Sequence, residues 1–270
     1  MARRTTEREL ARGRLAAEVG AVFREAPERI ALVYPSPYAA GMSSLGFQQI
    51  YRTTNATPGR CAERAFLPDD VETAQASRAP LLTYETERAV GDFEVLGLSV
   101  AYELELAGVV QVLELSGLDP LADRRGESGP FVLGGGPLTF SNPLPLAPFV
   151  DAILMGEADE TTHQALDVIF GCSSKEEAKR ELARTIPSCF VPSIHGDSMP
   201  EIAKCAVELL PAWAAIRTPH TELRDMFLLE AEHFLAKVKG QRPAVLTGIQ
   251  GDRLAAHLMH AQLERRARAQ

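Results

Sequence analysis

Apolar residues along the chain fall into two kinds of stretch. Residues 30–34, 95–100, 131–133 and 149–155 form short apolar runs, 95–100 continuous as in a central parallel strand covered on both faces, and 62–67 reads as a further strand. Helical stretches lie between them: Leu45, Ile50 and Tyr51 predict a helix over 43–53, and further helices are expected over 68–77, 104–115 and 161–170. Ahead of the first strand, Thr6 and Glu9 make a capping box, and Leu10, Leu15, Val19, Val22 and Phe23 predict an amphipathic helix over 6–25. Five strands alternating with helices predict an α/β fold, a flavodoxin-like (Rossmann-like) doubly wound parallel five-stranded sheet over 28–172. Beyond it the pattern predicts a charged helix over 173–184, a short strand over 188–192, strand or helix over 204–210, a strand over 227–231 and helices over 233–270. The expected domains are an N-terminal helix (1–27), the α/β domain (28–172), a connecting segment (173–232) and a helical tail (233–270).

Composition narrows the function classes. The chain carries 28 basic and 36 acidic residues for a net charge of −8, and no basic stripe is interleaved with aromatics, so no nucleic-acid partner is expected. No apolar run approaches a transmembrane helix, and charges occupy the N-terminus where a signal peptide needs apolar residues, so a cytoplasmic protein without a membrane partner is expected. Cys61, Cys172, Cys189 and Cys205 are scattered without a C-x-x-C pair, as expected of incidental thiols in a reducing compartment. His257 and His260 share a helix face, yet no third ligand is spaced to join them or His220 and His233, so no metal site is expected. No catalytic constellation, phosphate loop or dinucleotide fingerprint is visible.

Candidate chemistry concentrates at the strand ends. The run 30–34 meets Pro35 and Pro37, which are expected to stop the first strand, and Gly41–Ser44 then offers flexible backbone and a helix N-cap. In an open parallel sheet the loops after the strands' carboxyl ends hold ligands. Ser36, Tyr38, Gly41, Met42 and Ser43 follow the first strand, Ser99 and Tyr102 the third, Gly134, Gly135 and Gly136 the fourth, and Gly156 and Glu157 the fifth. Such small residues either let a broad ligand approach the backbone or make tight strand-to-helix turns.

Four segments together resemble a known family. Tyr-Pro-Ser-Pro-Tyr-Ala-Ala-Gly-Met-Ser-Ser-Leu-Gly (34–46), Asp-Phe-Glu-Val-Leu-Gly-Leu-Ser-Val-Ala-Tyr-Glu (92–103), Leu-Gly-Gly-Gly-Pro (133–137) and Asp-Ala-Ile-Leu-Met-Gly-Glu-Ala-Asp-Glu (151–160) look like the N-terminal cobalamin-binding domain of cobalamin-dependent radical SAM proteins. The resemblance implies a cobalamin module whose corrin is surrounded by loops 36–46, 99–103, 134–140 and 156–160. Two departures qualify what it implies. Where D-x-H-x-x-G cobalamin domains carry the aspartate and the cobalt-ligating histidine, this chain has Ser36 and Tyr38, so the implied complex is His-off. In the family the segment resembling 218–232 leads into a barrel opening with C-x-x-x-C-x-x-C; here His233-Phe-Leu-Ala-Lys237 follows and no further cysteine, so no iron–sulfur cluster is expected in this chain. The implied role is a cofactor module, not catalytic alone, with a radical SAM protein in trans as partner. A decayed cobalamin domain acting as a protein-interaction scaffold is the second reading, and a nucleotide or flavin enzyme the third.

Overall fold

The computed structural model describes residues 6–156, 158–196 and 198, all within one compact unit. Expectations for Glu157, Cys205, His220, His233, His257 and His260, for the elements over 204–210, 227–231 and 233–270, and for the segment 218–232 lie outside the described residues.

The first helix, α1 (Glu7–Ala16), starts where its local signal says: the Glu9 N–H donates to the Thr6 hydroxyl at 3.2 Å and the Thr6 N–H donates to the Glu9 carboxylate at 2.8 Å. It ends well short of residue 25. Gly20 takes a left-handed turn at φ +91°, and Val19 and Phe23 lie exposed on the segment beyond. Their helical spacing therefore builds no core face.

Strand β1 (Glu28–Pro37) also departs from expectation, because Pro35 does not stop it. The pairing steps from Tyr34–Phe66 to Pro37–Leu67, so Pro35 and Ser36 form a bulge where the missing proline N–H leaves no ladder bond unmade. A short turn α2 (Tyr38–Met42) and α3 (Leu45–Ala56), capped by the Ser44 hydroxyl, lead to β2 (Arg60–Leu67). Asp70 caps α4 (Val71–Ser77) by accepting from the Thr73 N–H at 2.9 Å. Beyond α4, Leu82 makes a single antiparallel bridge to Ala89. Then come β3 (Val95–Ser99), α5 (Leu106–Leu115), β4 (Phe131–Gly135), β5 (Ala152–Leu154), α6 (Asp159–Gly171), α7 (Lys175–Thr185), β6 (Cys189–Phe190) and α8 (Pro192–His195).

The sheet runs β2-β1-β3-β4-β5-β6, with the first five strands parallel and β6 antiparallel to β5. The flavodoxin-like order is as expected, but the sheet has six strands, not five. β6 falls within the short strand expected over 188–192, but its pairing with β5 through Ile153–Phe190 and Leu154–Cys189, which makes it the sheet's sixth strand, was not expected.

Alternate side chains of β1 serve the two faces. Ala31 and Val33 join Leu96, Leu98, Val109 and Leu113 under α4 and α5, while Ile30, Leu32 and Tyr34 join Phe47, Leu166 and Leu182 under α3, α6 and α7. β2 is an edge strand, yet every residue in it is buried. Segment 83–88 covers that edge: the Tyr84 N–H donates to the Arg64 carbonyl at 2.8 Å, and the Arg64 N–H to the Glu85 carboxylate at 2.7 Å.

Candidate functional site

The chain winds one way from β1 to β2 and the other way from β1 to β3, which makes the carboxyl ends of β1 and β3 the switch point where such sheets form a crevice. A side chain absent from the expected set stands there. Glu105, only 3% exposed, accepts from the Ala101 N–H at 2.6 Å and from the Ser36 hydroxyl at 3.3 Å, joining the ends of β1 and β3. The line continues along the sheet edge. The Val100 N–H donates to the Gly135 carbonyl at 2.9 Å and the Leu138 N–H to the Val100 carbonyl at 3.1 Å. Buried Thr139 donates to the Gly136 carbonyl at 2.8 Å and accepts from the Gly156 N–H at 3.0 Å. The Ser141 hydroxyl, donating to Glu103 at 3.2 Å, ties the loop after β4 to the loop after β3.

Ser36, Gly135, Gly136 and Gly156 are thus brought together by bonds running through Glu105, Val100 and Thr139, and Ser99 pairs with Gly135 in the ladder. Their reasons for being small differ. Gly136 sits at φ +103°, with the Val100 carbonyl oxygen 2.7 Å from where a Cβ would stand, so the turn itself demands glycine. A Cβ at Gly134 would lie 3.1 Å from Leu146 and 3.4 Å from Val150, so that glycine accommodates packing. Gly135 has no such neighbour, its nearest being the Leu154 carbonyl at 3.8 Å, and like Ser99 it is half-buried.

Tyr38, Gly41, Met42 and Ser43 gather on the β2 side. The Tyr38 ring stacks on Tyr84 with centroids 5.4 Å apart and meets Phe66 edge-on at 5.3 Å, with the Arg14 guanidinium 5.0 Å away over its face. Its hydroxyl donates to Glu18 at 2.8 Å. A Cβ at Gly41 would overlap the Phe66 ring. The Met42 sulfur accepts from Arg64 at 3.3 Å, and the Ser43 hydroxyl donates to the Ala40 carbonyl at 2.7 Å, closing α2. Tyr102, at the end of β3, is partly exposed.

Burial, then the neighbouring Glu18, push the Tyr38 phenol up to about 12, and burial also raises Tyr51 and Tyr84. A phenol raised in the folded state stabilises it fully below the unfolded value of about 10, and that contribution is lost as pH climbs through the folded value. Phenolate absorbance is therefore expected to show Tyr38 ionising only near its raised value of about 12 and Tyr51 and Tyr84 ionising above the ordinary phenol range, together with loss of near-ultraviolet circular dichroism. Ionisation of all five tyrosines as one group near pH 10, with the fold intact, would contradict the packing of Tyr38 and Tyr51.

The edge is bordered by apolar side chains that water does not favour. Leu45 at the start of α3, Leu104 after β3 and Phe140 after β4 are 78%, 85% and 53% exposed. Among the described residues no group of three or more His, Cys, Asp or Glu is placed to hold a metal ion, and no helix is long and apolar enough to cross a membrane. Burial pushes the Cys189 thiol up to about 12 and raises that of Cys61, which suits unreactive core cysteines.

The family of radical SAM proteins' N-terminal domains ("Radical SAM proteins, N-terminal") matches residues 46–192, more than half of the chain. The chain belongs to this family. The matched part of this radical SAM N-terminal domain starts at Gly46, just after the loop bearing Tyr38 and Gly41, and runs through β6, so it holds the ends of β3, β4 and β5 with Glu105 and Thr139. Neither the curated proteins nor the solved structures include a match to the chain. Nothing in the sequence singles out Glu105. In Glu103-Leu104-Glu105 the usual preference is inverted, with the leucine in water and the second glutamate inside.

Proposed function

We propose that this radical SAM N-terminal domain is a cobalamin-binding module that holds the corrin on the carboxyl edge of its sheet and serves a radical SAM barrel as partner. The observation carrying the reading is the edge itself: a switch point whose middle is kept low by Ser99 and Gly135, bordered by exposed Leu45, Leu104 and Phe140. A broad, flat, largely apolar ring fits that profile better than a phosphate or a small polar substrate does. Cobalamin, when bound, supplies alkyl transfer at cobalt. The chain's own contribution is to seat the ring, to exclude water with the apolar border and to keep the two switch-point loops in register through Glu105. Tyr38 is already committed to Glu18, Tyr84 and Phe66, so the first loop offers the cobalt no free side chain at that position and the expected complex is His-off. A cytoplasmic setting suits the free thiols.

Hydroxocobalamin added to the purified chain is expected to stay bound through desalting, with the corrin bands visible in the protein fraction. Gly135→Trp, which fills the low middle of the edge, is expected to abolish retention while leaving the far-ultraviolet circular dichroism unchanged. No retention by the parent at any accessible concentration would defeat the cofactor reading. The second reading, a scaffold descended from a cofactor domain, draws on Gly41 and Gly134, whose open space is taken by Phe66 and Leu146. It predicts no corrin retention and a protein partner on the same apolar border.

A further inference from the structure

A separate cavity of about 570 Å³ lies at the carboxyl end of the outer strand β2. That is the size of a small-molecule site, about 300–1,000 Å³. Its floor is apolar, formed by Phe66 and Leu67 of β2, Ala74 of α4, Leu81, and Leu115 of α5. Its roof is α1, through Thr6, Glu7, Arg8 and Ala11.

The roof is attached in an uncommon way. None of the residues of α1 is fully buried, and its part-buried Ala11 packs against the core, so polar ties at its rim share in holding it down. Arg12 pairs with Glu87, and Arg14 reaches Asp69 at 2.5 Å and the Tyr84 hydroxyl at 3.0 Å. Glu87 is held at φ +56°, a left-handed conformation costly for a residue with a side chain, at the point where it meets the helix. A helix tied by its rim over an apolar hollow has the build of a cover, since water in the hollow gains little from the leucine and phenylalanine floor.

The lining also has a sign. Among the described residues Glu7, Asp70 and Glu87 line it together with Arg8, and Glu87 is paired with Arg12, while Arg14 is tied to Asp69 outside the lining. Burial, then Asp69 and Asp70, raise the Glu7 carboxyl above its usual range against the opposing pull of Arg14.

We propose that this cavity binds a small apolar molecule bearing a protonated amino group, its apolar body on Phe66, Leu81 and Leu115 and its ammonium at Glu7 beneath α1. The site is independent of the carboxyl edge assigned to cobalamin.

Calorimetric titration of the full chain with naphthylethylamine and with the neutral naphthylethanol tests it. Saturable one-site binding is expected, with the amine about fivefold tighter than the alcohol, the size of one partly exposed charge pair. Glu7→Gln should remove that preference and leave alcohol binding unchanged. Ser77→Trp, on the half-exposed cavity wall, should weaken both ligands about tenfold, roughly 1.4 kcal/mol, while Gly135→Trp should change neither. Equal affinities for amine and alcohol, binding untouched by Ser77→Trp, loss of binding in Gly135→Trp, or no saturable binding would each overturn the assignment.

Discussion

Arg64→Met is expected to destabilise the protein by about 3–5 kcal/mol, the usual result of removing one partner of a buried ion pair. Arg64 and Glu85 have side chains 3% and 1% exposed, with Nε and Oε1 2.7 Å apart. The second Glu85 oxygen accepts the Arg64 backbone N–H at 2.7 Å, a second guanidinium nitrogen meets Glu18 at 2.8 Å, and the guanidinium lies 4.4 Å over the Tyr51 ring. One variant thus strands a carboxylate in the interior and frees both the covering segment 83–88 and the N-terminal segment at Glu18. Burial already raises the Glu85 carboxyl even with Arg64 beside it. Without Arg64 the carboxyl rises further, so the variant's deficit should shrink as pH falls below 7 and Glu85 takes up a proton. The pair Arg64→Met with Glu85→Met should recover most of the loss, because two apolar side chains need no counter-charge. Urea unfolding of parent, single and double variants at two pH values decides it. A double variant as unstable as the single one would show that the charges are not the cause.

Glu105→Ala is expected to cost about 1.5–3 kcal/mol, the range for hydrogen bonds to a charged group, and to weaken corrin retention. Its carboxylate is the link between Ala101 on the β3 side and Ser36 on the β1 bulge, and its loss leaves the Ala101 N–H without that partner. Glu105→Gln keeps an acceptor for Ala101 and should restore most of the stability. Urea unfolding and hydroxocobalamin retention, measured on the same preparations, check both effects. Unchanged stability in Glu105→Ala would mean that other contacts align the two loops.

Much of the fold was legible because the forces behind it act over a few residues or along one strand. The capping signals at Thr6 and in Gly41–Ser44 begin helices as expected, since a side-chain oxygen and an N–H three positions on need nothing from the rest of the chain. The continuous apolar run at 95–100 became a central strand because both faces of β3 are covered. Helical spacing at Leu15, Val19, Val22 and Phe23 misled because periodicity reports a helix only where a surface receives the apolar stripe, and Val19 and Phe23 meet none.

The candidate site divides along the same line. Gly41, Gly134 and Gly135 look alike in sequence, as small residues near strand ends. Phe66 fills the space at the first, Leu146 and Val150 crowd the second, and the third stays open. Glu63 and Arg64 in an edge strand look exposed until Thr83, Thr86 and Glu85 arrive to pair with them from about twenty residues downstream.

By itself the sequence determined the parallel α/β sheet, its flavodoxin-like order and the small-residue loops at its strand ends, because strand burial and helix capping are written in local residue patterns. Only the tertiary structure decided the bulge at Pro35, the pairing of β6 with β5 as a sixth strand, which glycines are crowded and which stay open, and the placement of Glu105 at the switch point. Each of those depends on contacts between residues far apart in the chain, whose meeting no local pattern specifies.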